Sequence, residues 1–139
     1  MTCQEKKAYL LQYRSSLLEE RRLADELAQW RARAENSTAR YGAEAGGGGD
    51  GRSLEHSAEH ILQVVEELER QRTELARLRL EIGAAINTVS DVRLRELLLL
   101  RYIDGRTWEQ VAETMGYNAR WVRRLHGHAL AKVALESPP

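Results

Sequence analysis

From Gln4 to about Arg40 the chain runs without a proline or a glycine. Nothing in that stretch stops a helix. Its apolar residues Leu10, Leu11, Tyr13, Leu17, Leu18, Leu23, Leu27, Trp30 and Ala34 recur mostly at steps of three and four, the spacing of one helical face. A single amphipathic helix over about 4–40 is therefore expected. A second run opens at Ser53, whose hydroxyl can cap a helix start, and carries Ile61, Val65, Leu68, Leu75, Ile82, Ile86 and Val89 to about residue 89 in the same rhythm, interrupted at Arg72 and Arg79. The segment between them, Tyr41 to Arg52, holds Gly42, Gly46, Gly47, Gly48, Gly49 and Gly51. Each glycine costs a helix about 1 kcal/mol against alanine, so residues 41–52 read as a Gly-rich, flexible connector. Two helices of matched length, each roughly 54 Å long at 1.5 Å per residue, predict an antiparallel, coiled-coil-like hairpin over residues 1–90. Two helices alone make a thin core, which the hairpin can complete either by packing on the C-terminal helices of its own chain or by pairing with a second copy, and a homodimer is expected.

The remaining residues, 91–139, break into shorter pieces. Asp91 can cap a helix over 92–103 containing Leu94, Leu97, Leu98 and Tyr102, which Asp104-Gly105 ends. Thr107 with Gln110 three residues later is a capping box for a helix over 107–115. Gly116 breaks it, and Asn118 caps a last helix over 119–135. With only two prolines and no phenylalanine in 139 residues, the fold class is all-α, and an elaborate multidomain enzyme is excluded.

Formal charge sums to zero, which excludes a globally basic protein but not a local basic face. Residues 118–132 hold Arg120, Arg123, Arg124, Lys132, His126 and His128 and no carboxylate. The same stretch follows two short helices whose meeting positions fit a helix-turn-helix. Such a unit needs a small residue inside its first helix, a glycine in the turn and apolar residues where the helices cross. Val111, Ala112, Met115, Gly116, Tyr117, Val122 and Leu125 fill those places. The side opposite Val122 and Leu125 then presents Asn118, Arg120, Arg123, Arg124 and in part Trp121. Arginine suits a reading edge because its planar fork bonds guanine O6 and N7 together or clamps a phosphate.

At these residues the chain resembles a known family. Thr107 through Val133, with Leu97 to Gly105 before it, looks like region 4 of bacterial sigma factors. With the hairpin and its glycine connector, the whole chain resembles phage-encoded transcriptional regulators of the ArpU and RinA type. The resemblance implies contacts to double-stranded DNA at Asn118, Ala119, Arg120, Arg123 and Arg124, a role in late-gene transcription, and contact with host RNA polymerase. Ala119 stands where a larger polar residue is usual, and Gly127 interrupts a helix that sigma factors fill with alanine. A target other than a standard promoter element is expected.

Two other readings share the architecture. A small terminase-like packaging adaptor also joins a helix-turn-helix to a helical hairpin, and a protein-binding adaptor could dock on polymerase without reading DNA. Catalysis is not expected. His56-Ser57-Ala58-Glu59-His60 matches the inverted zinc-protease string, but it falls at a helix start after a glycine connector, without a third ligand on a rigid scaffold, and reads as solvated histidines. His126 and His128 are two apart and diverge around a helix. The glycine run lacks the Gly-Lys-Ser/Thr of a phosphate loop. Neither a metal nor any other cofactor is expected. Cys3 is the only cysteine, no run nears the roughly 18 apolar residues of a membrane span, and the start leads into no secretion signal, so a cytoplasmic location is expected.

Overall fold

The computed structural model describes residues 1–43 and 51–135, with the side chains of 1–36 and 54–135. The helices are α1 (Cys3–Ala43), α2 (Gly51–Asn87), α3 (Val92–Leu98), α4 (Trp108–Met115) and α5 (Ala119–Lys132), and a π-helical turn, Leu99–Ile103, follows α3 directly. No strand occurs among the described residues. The all-α expectation holds.

Several local expectations need correction. Tyr41–Ala43 belong to α1 and Gly51–Arg52 to α2, so the expected connector is narrower than 41–52; its remaining residues, 44–50, lie outside the described ones. Ser53 is consequently inside α2 rather than its cap. The helix expected over 92–103 is α-helical only to Leu98. At 100° per residue an unbroken α-helix would put Leu100 and Tyr102 about 160° apart, and the wider π turn lets Leu97, Leu98, Leu100 and Tyr102 all be buried. The last helix ends at Lys132, three residues early. There Val133 turns extended (φ −67°, ψ 123°), its side chain is buried, and the Ala134 amide donates to Thr88 Oγ1 at 3.0 Å. Gly127 does not interrupt α5, which is continuous through it.

Packing groups the chain into two compact units. In the first, Leu17–Glu74, α1 and α2 run antiparallel. Arg72 Nε donates to Glu20 Oε1 at 3.1 Å, and fifteen-odd Å away by helical rise Trp30 stacks on His60 at 4.5 Å between centroids. Leu23, Leu27, Val64 and Leu68 form its buried core. Val64 lies one residue from the seam read in sequence, and Val65 is only half-buried. Leu18 and Leu62 are exposed.

The second unit joins Met1–Ser16 to the chain from Leu75 onward. Leu10 and Tyr13 of α1 and Leu78, Ile82, Ala85 and Ile86 of α2 share one core with Leu94, Leu97, Val111, Val122, Leu125 and Leu130 of the C-terminal helices. The hydrophobic packing thus runs straight across residue 90. Arg79, which broke the apolar rhythm, donates to the Tyr13 hydroxyl at 3.2 Å from the edge of this core. Lys6 Nζ donates to the Ala131 carbonyl at 3.2 Å, satisfying one of the free carbonyls in the last turn of α5.

Two glycines are required by backbone conformation. Gly105 (φ 71°) and Gly116 (φ 73°) occupy the left-handed region, and a Cβ on Gly105 would also overlap the Arg14 guanidinium. Gly127 has a helical backbone and open space around it. Urea denaturation should order three substitutions accordingly. Gly116→Ala and Gly105→Ala should each cost about 1 to 2 kcal/mol from backbone strain, with the flexible Arg14 side chain moving aside at the second. Gly127→Ala should stabilise by about 0.5 to 1 kcal/mol.

Candidate nucleic-acid interface

Each of α3, α4 and α5 begins at a side chain that caps it. Asp91 accepts from the amides of Arg93 (2.9 Å) and Leu94 (3.3 Å), and the Leu94 amide first, then that of Arg93, holds its carboxyl below the usual carboxylate range. Thr107 Oγ1 accepts from the Gln110 amide at 3.2 Å while Gln110 Oε1 accepts from the Thr107 amide at 3.0 Å, a closed capping box. Asn118 Oδ1 accepts from the Trp121 amide at 2.8 Å. Asn118 is thus committed to starting α5, and its exposed amide nitrogen remains for a ligand.

Between α4 and α5, Gly116 ends the first helix in the left-handed conformation, and the Tyr117 amide donates back to the Ala112 carbonyl at 3.0 Å. Val111, Ala112, Val122 and Leu125 are buried where the pair meets, whereas Met115 and Tyr117 are half-buried at its margin and Gly116 is exposed. Tyr117 also accepts a long bond, 3.4 Å, from Arg93 Nη1. The turn is therefore fixed from inside by apolar contact and from outside by hydrogen bonds.

Burial of Val122, Leu125, Ala129 and Leu130 leaves the other side of α5 to solvent. Arg120 and Arg124, four residues apart, form its outermost ridge, with Arg123 on one flank and Trp121 on the other. The three arginines are exposed, and among the described residues none pairs with a carboxylate. Asn118, Arg120, Trp121 and Arg124 line one shallow hollow of about 340 Å³. Ala119 is half-buried against the core, so it faces away from that hollow. Past Arg124 the ridge continues through Gly127 and Ala131, which leave the helix surface bare.

His126 does not join the cationic side. Its Nε2 lies 2.6 Å from the Tyr102 hydroxyl, and its ring packs edge-on to Trp108 at 4.5 Å, while the Arg101 guanidinium sits over the same indole, 4.5 Å from its centroid. Burial, with smaller contributions from Lys7 and Arg101, pushes the imidazole down to about 4. Burial likewise pushes the Tyr102 phenol up to about 12, against a smaller lowering by Arg101. Both rings are neutral at neutral pH and share one hydrogen. This cluster was invisible in sequence, since its members sit on the π turn, α4 and α5 at no regular spacing. His128 is exposed, as is Lys132 near the end of the helix.

His56 and His60 lie in the other unit, with their Nε2 atoms 3.0 Å apart. Among the described residues no three His, Cys, Asp or Glu side chains gather as a metal site would require. No helix among them is long and apolar enough to cross a membrane.

Residues 91–134 match the family model described as Sigma-70, region 4. The matched stretch starts at the Asp91 cap and ends just after the buried Val133, so it takes in both helices of the helix-turn-helix and the α3 support behind them. Comparison with curated proteins and with solved structures gave no match.

The buried histidine gives this unit an acid limit. The folded state holds His126 at about 4 and the unfolded chain near 6.5, so the unfolded state binds more protons between those values. Stability contributed by the neutral ring is complete above about 6.5 and is lost as pH falls toward 4. Melting temperature measured from pH 7.5 to 4.5 should decline on the acid side, and His126→Gln should flatten that decline; an unchanged slope in the variant would assign it to other groups.

Proposed function

We propose that this protein is a sequence-specific DNA-binding regulator of transcription, of the phage late-gene type, that acts by binding and not by catalysis. The observation that carries the reading is the outward side of α5. On a chain of zero net charge, the second helix of a helix-turn-helix presents Arg120, Arg123 and Arg124 with no carboxylate between Asn118 and Lys132. A duplex repels carboxylates and rewards forked cations, so this is the side that enters a major groove. The bare surface at Gly127 and Ala131 lets the C-terminal half of the helix approach a phosphate backbone that a longer side chain would hold off. The likeness of residues 91–134 to sigma region 4 supports the same groove-reading role and contact with host RNA polymerase.

One such helix covers only a few base pairs, too little to select a site among genomic competitors. The hairpin of residues 1–90 supplies a second reading helix by pairing two copies. Half-sites then fall about 10 base pairs apart or at a multiple of that spacing. The action takes place in the cytoplasm, where the DNA is.

Selection of bound duplexes from a random pool should enrich a paired motif. On the selected duplex, Arg120→Ala, Arg123→Ala or Arg124→Ala should each cost about 1 to 3 kcal/mol where the arginine reads a base, and should mainly flatten the salt dependence where it contacts phosphate. Unchanged affinity in the triple alanine variant would remove the interface assigned to α5. Absence of any enriched motif at low salt would favour a protein-docking role instead.

A further inference from the structure

The Leu17–Glu74 hairpin carries two recesses lined by different residue types. On one flank, the charged and amide residues Arg22, Asp25, Glu26 and Gln29 line a recess, where Arg22 is bonded to Glu19 at 2.7 Å and to Glu26 at 3.3 Å. That flank is finished by its own ion pairs. On the other, α1 and α2 enclose a groove of about 320 Å³ with Leu27 and Leu68 at its floor and Ala24, Ala28 and Val65 in its walls. Arg31, Arg72 and Glu69 stand at its rim. Leu62, three residues before Val65 and seven before Glu69, extends the apolar strip along α2 and is 63% exposed.

We infer that this flank is the surface on which a second copy of the chain docks, hairpin against hairpin, as a four-helix bundle. The inference rests on the paired-regulator reading above and gives it a face. Three observations converge on a copy of this chain. Only four apolar side chains, Leu23, Leu27, Val64 and Leu68, are buried among the described residues of this unit, with Ala24, Trp30, Ile61 and Val65 partly buried beside them, so the core between its two helices is thin. Ala24 and Ala28, one turn apart, allow another helix to come close, with axes about 8 Å apart. The rim also carries both signs, which a two-fold axis requires: Arg31 of one copy can meet Glu69 of the other, and the reverse pair forms by symmetry. A partner of a single charge sign would meet repulsion from one or other side of that rim.

The test is light scattering of the full chain without DNA, over a concentration series. The wild type should be a dimer at micromolar concentration. Ala28→Glu should shift dimerisation at least tenfold to higher concentration with helical circular dichroism retained, while Gln29→Glu on the polar flank should not. Because Ala28→Glu could disturb the hairpin itself, a charge exchange provides the second measurement. Glu69→Arg and Arg31→Glu should each weaken self-association, and an equal mixture of the two should form a mixed dimer. A monomeric wild type, a dimer indifferent to Ala28→Glu, or no recovery in the mixture overturns the assignment. Failure here is separable from failure of DNA reading, since a monomer that still binds duplex loses only the docking face, and a dimer that binds no duplex loses only the DNA reading.

Discussion

The reading helix depends on the apolar side it hides. Val122, Leu125, Ala129 and Leu130 fix the rotation of α5 about its own axis, and that rotation decides which residues meet solvent. Were α5 turned by one residue, about 100°, a valine or leucine would face outward and an arginine inward, at a cost no surface contact could offset. The caps at Thr107 and Asn118 set where the two helices begin, and the left-handed Gly116 sets the angle at which they part. The hydrophobic contact then holds that arrangement.

Charge is distributed by the same logic. Along α1 and α2, three arginines are answered locally: Arg22 by Glu19 and Glu26, Arg72 by Glu20, Arg77 by Glu81. Exposed pairs of this kind contribute little stability, but they neutralise the surface they occupy. The three α5 arginines have no such answer, so a chain of zero net charge carries a concentrated positive patch on this side of α5. The neutral His126 sharpens the division, because the one titratable ring on the inner side of α5 contributes no charge to the core around Tyr102 and Trp108.

Much of this was legible in the sequence because its causes are local. Caps, turn glycines and three-four spacing act over a few residues, and they located α3, α4 and α5 to within a few positions, along with the apolar places Val111, Ala112, Val122 and Leu125. What depended on distant partners was not legible. The chain leaves the helix at Val133 because the core takes the Val133 side chain and Thr88 accepts from the next amide, that of Ala134, and nothing near residue 133 says so. The π turn at Leu99–Ile103 arises because the core demands inward side chains at Leu100 and Tyr102 from a chain whose local pattern is simply leucine-rich. Ala119 sits where a reading residue is expected, yet its half-burial follows from the packing of α5 on the rest of the core. The seam of the hairpin fell at Val64 rather than Val65, since a helix with apolar residues at both offers no local reason to prefer one.

The stretch that resembles sigma region 4 and the body that keeps it folded are different objects. The resemblance spans residues 91–134, but the core behind those residues is completed by Leu10 and Tyr13 near the start of the chain and by Leu78, Ile82 and Ile86 before the matched stretch begins. Lys6 reaches the final turn of α5 from 125 positions away. A segment recognisable as one module thus shares its core with a host that lends it more than a third of its interior. In evolutionary terms such a head is no longer freely exchangeable: a replacement would have to match the surfaces of α1 and α2 as well as the DNA, so the two helices constrain which reading heads this architecture can accept.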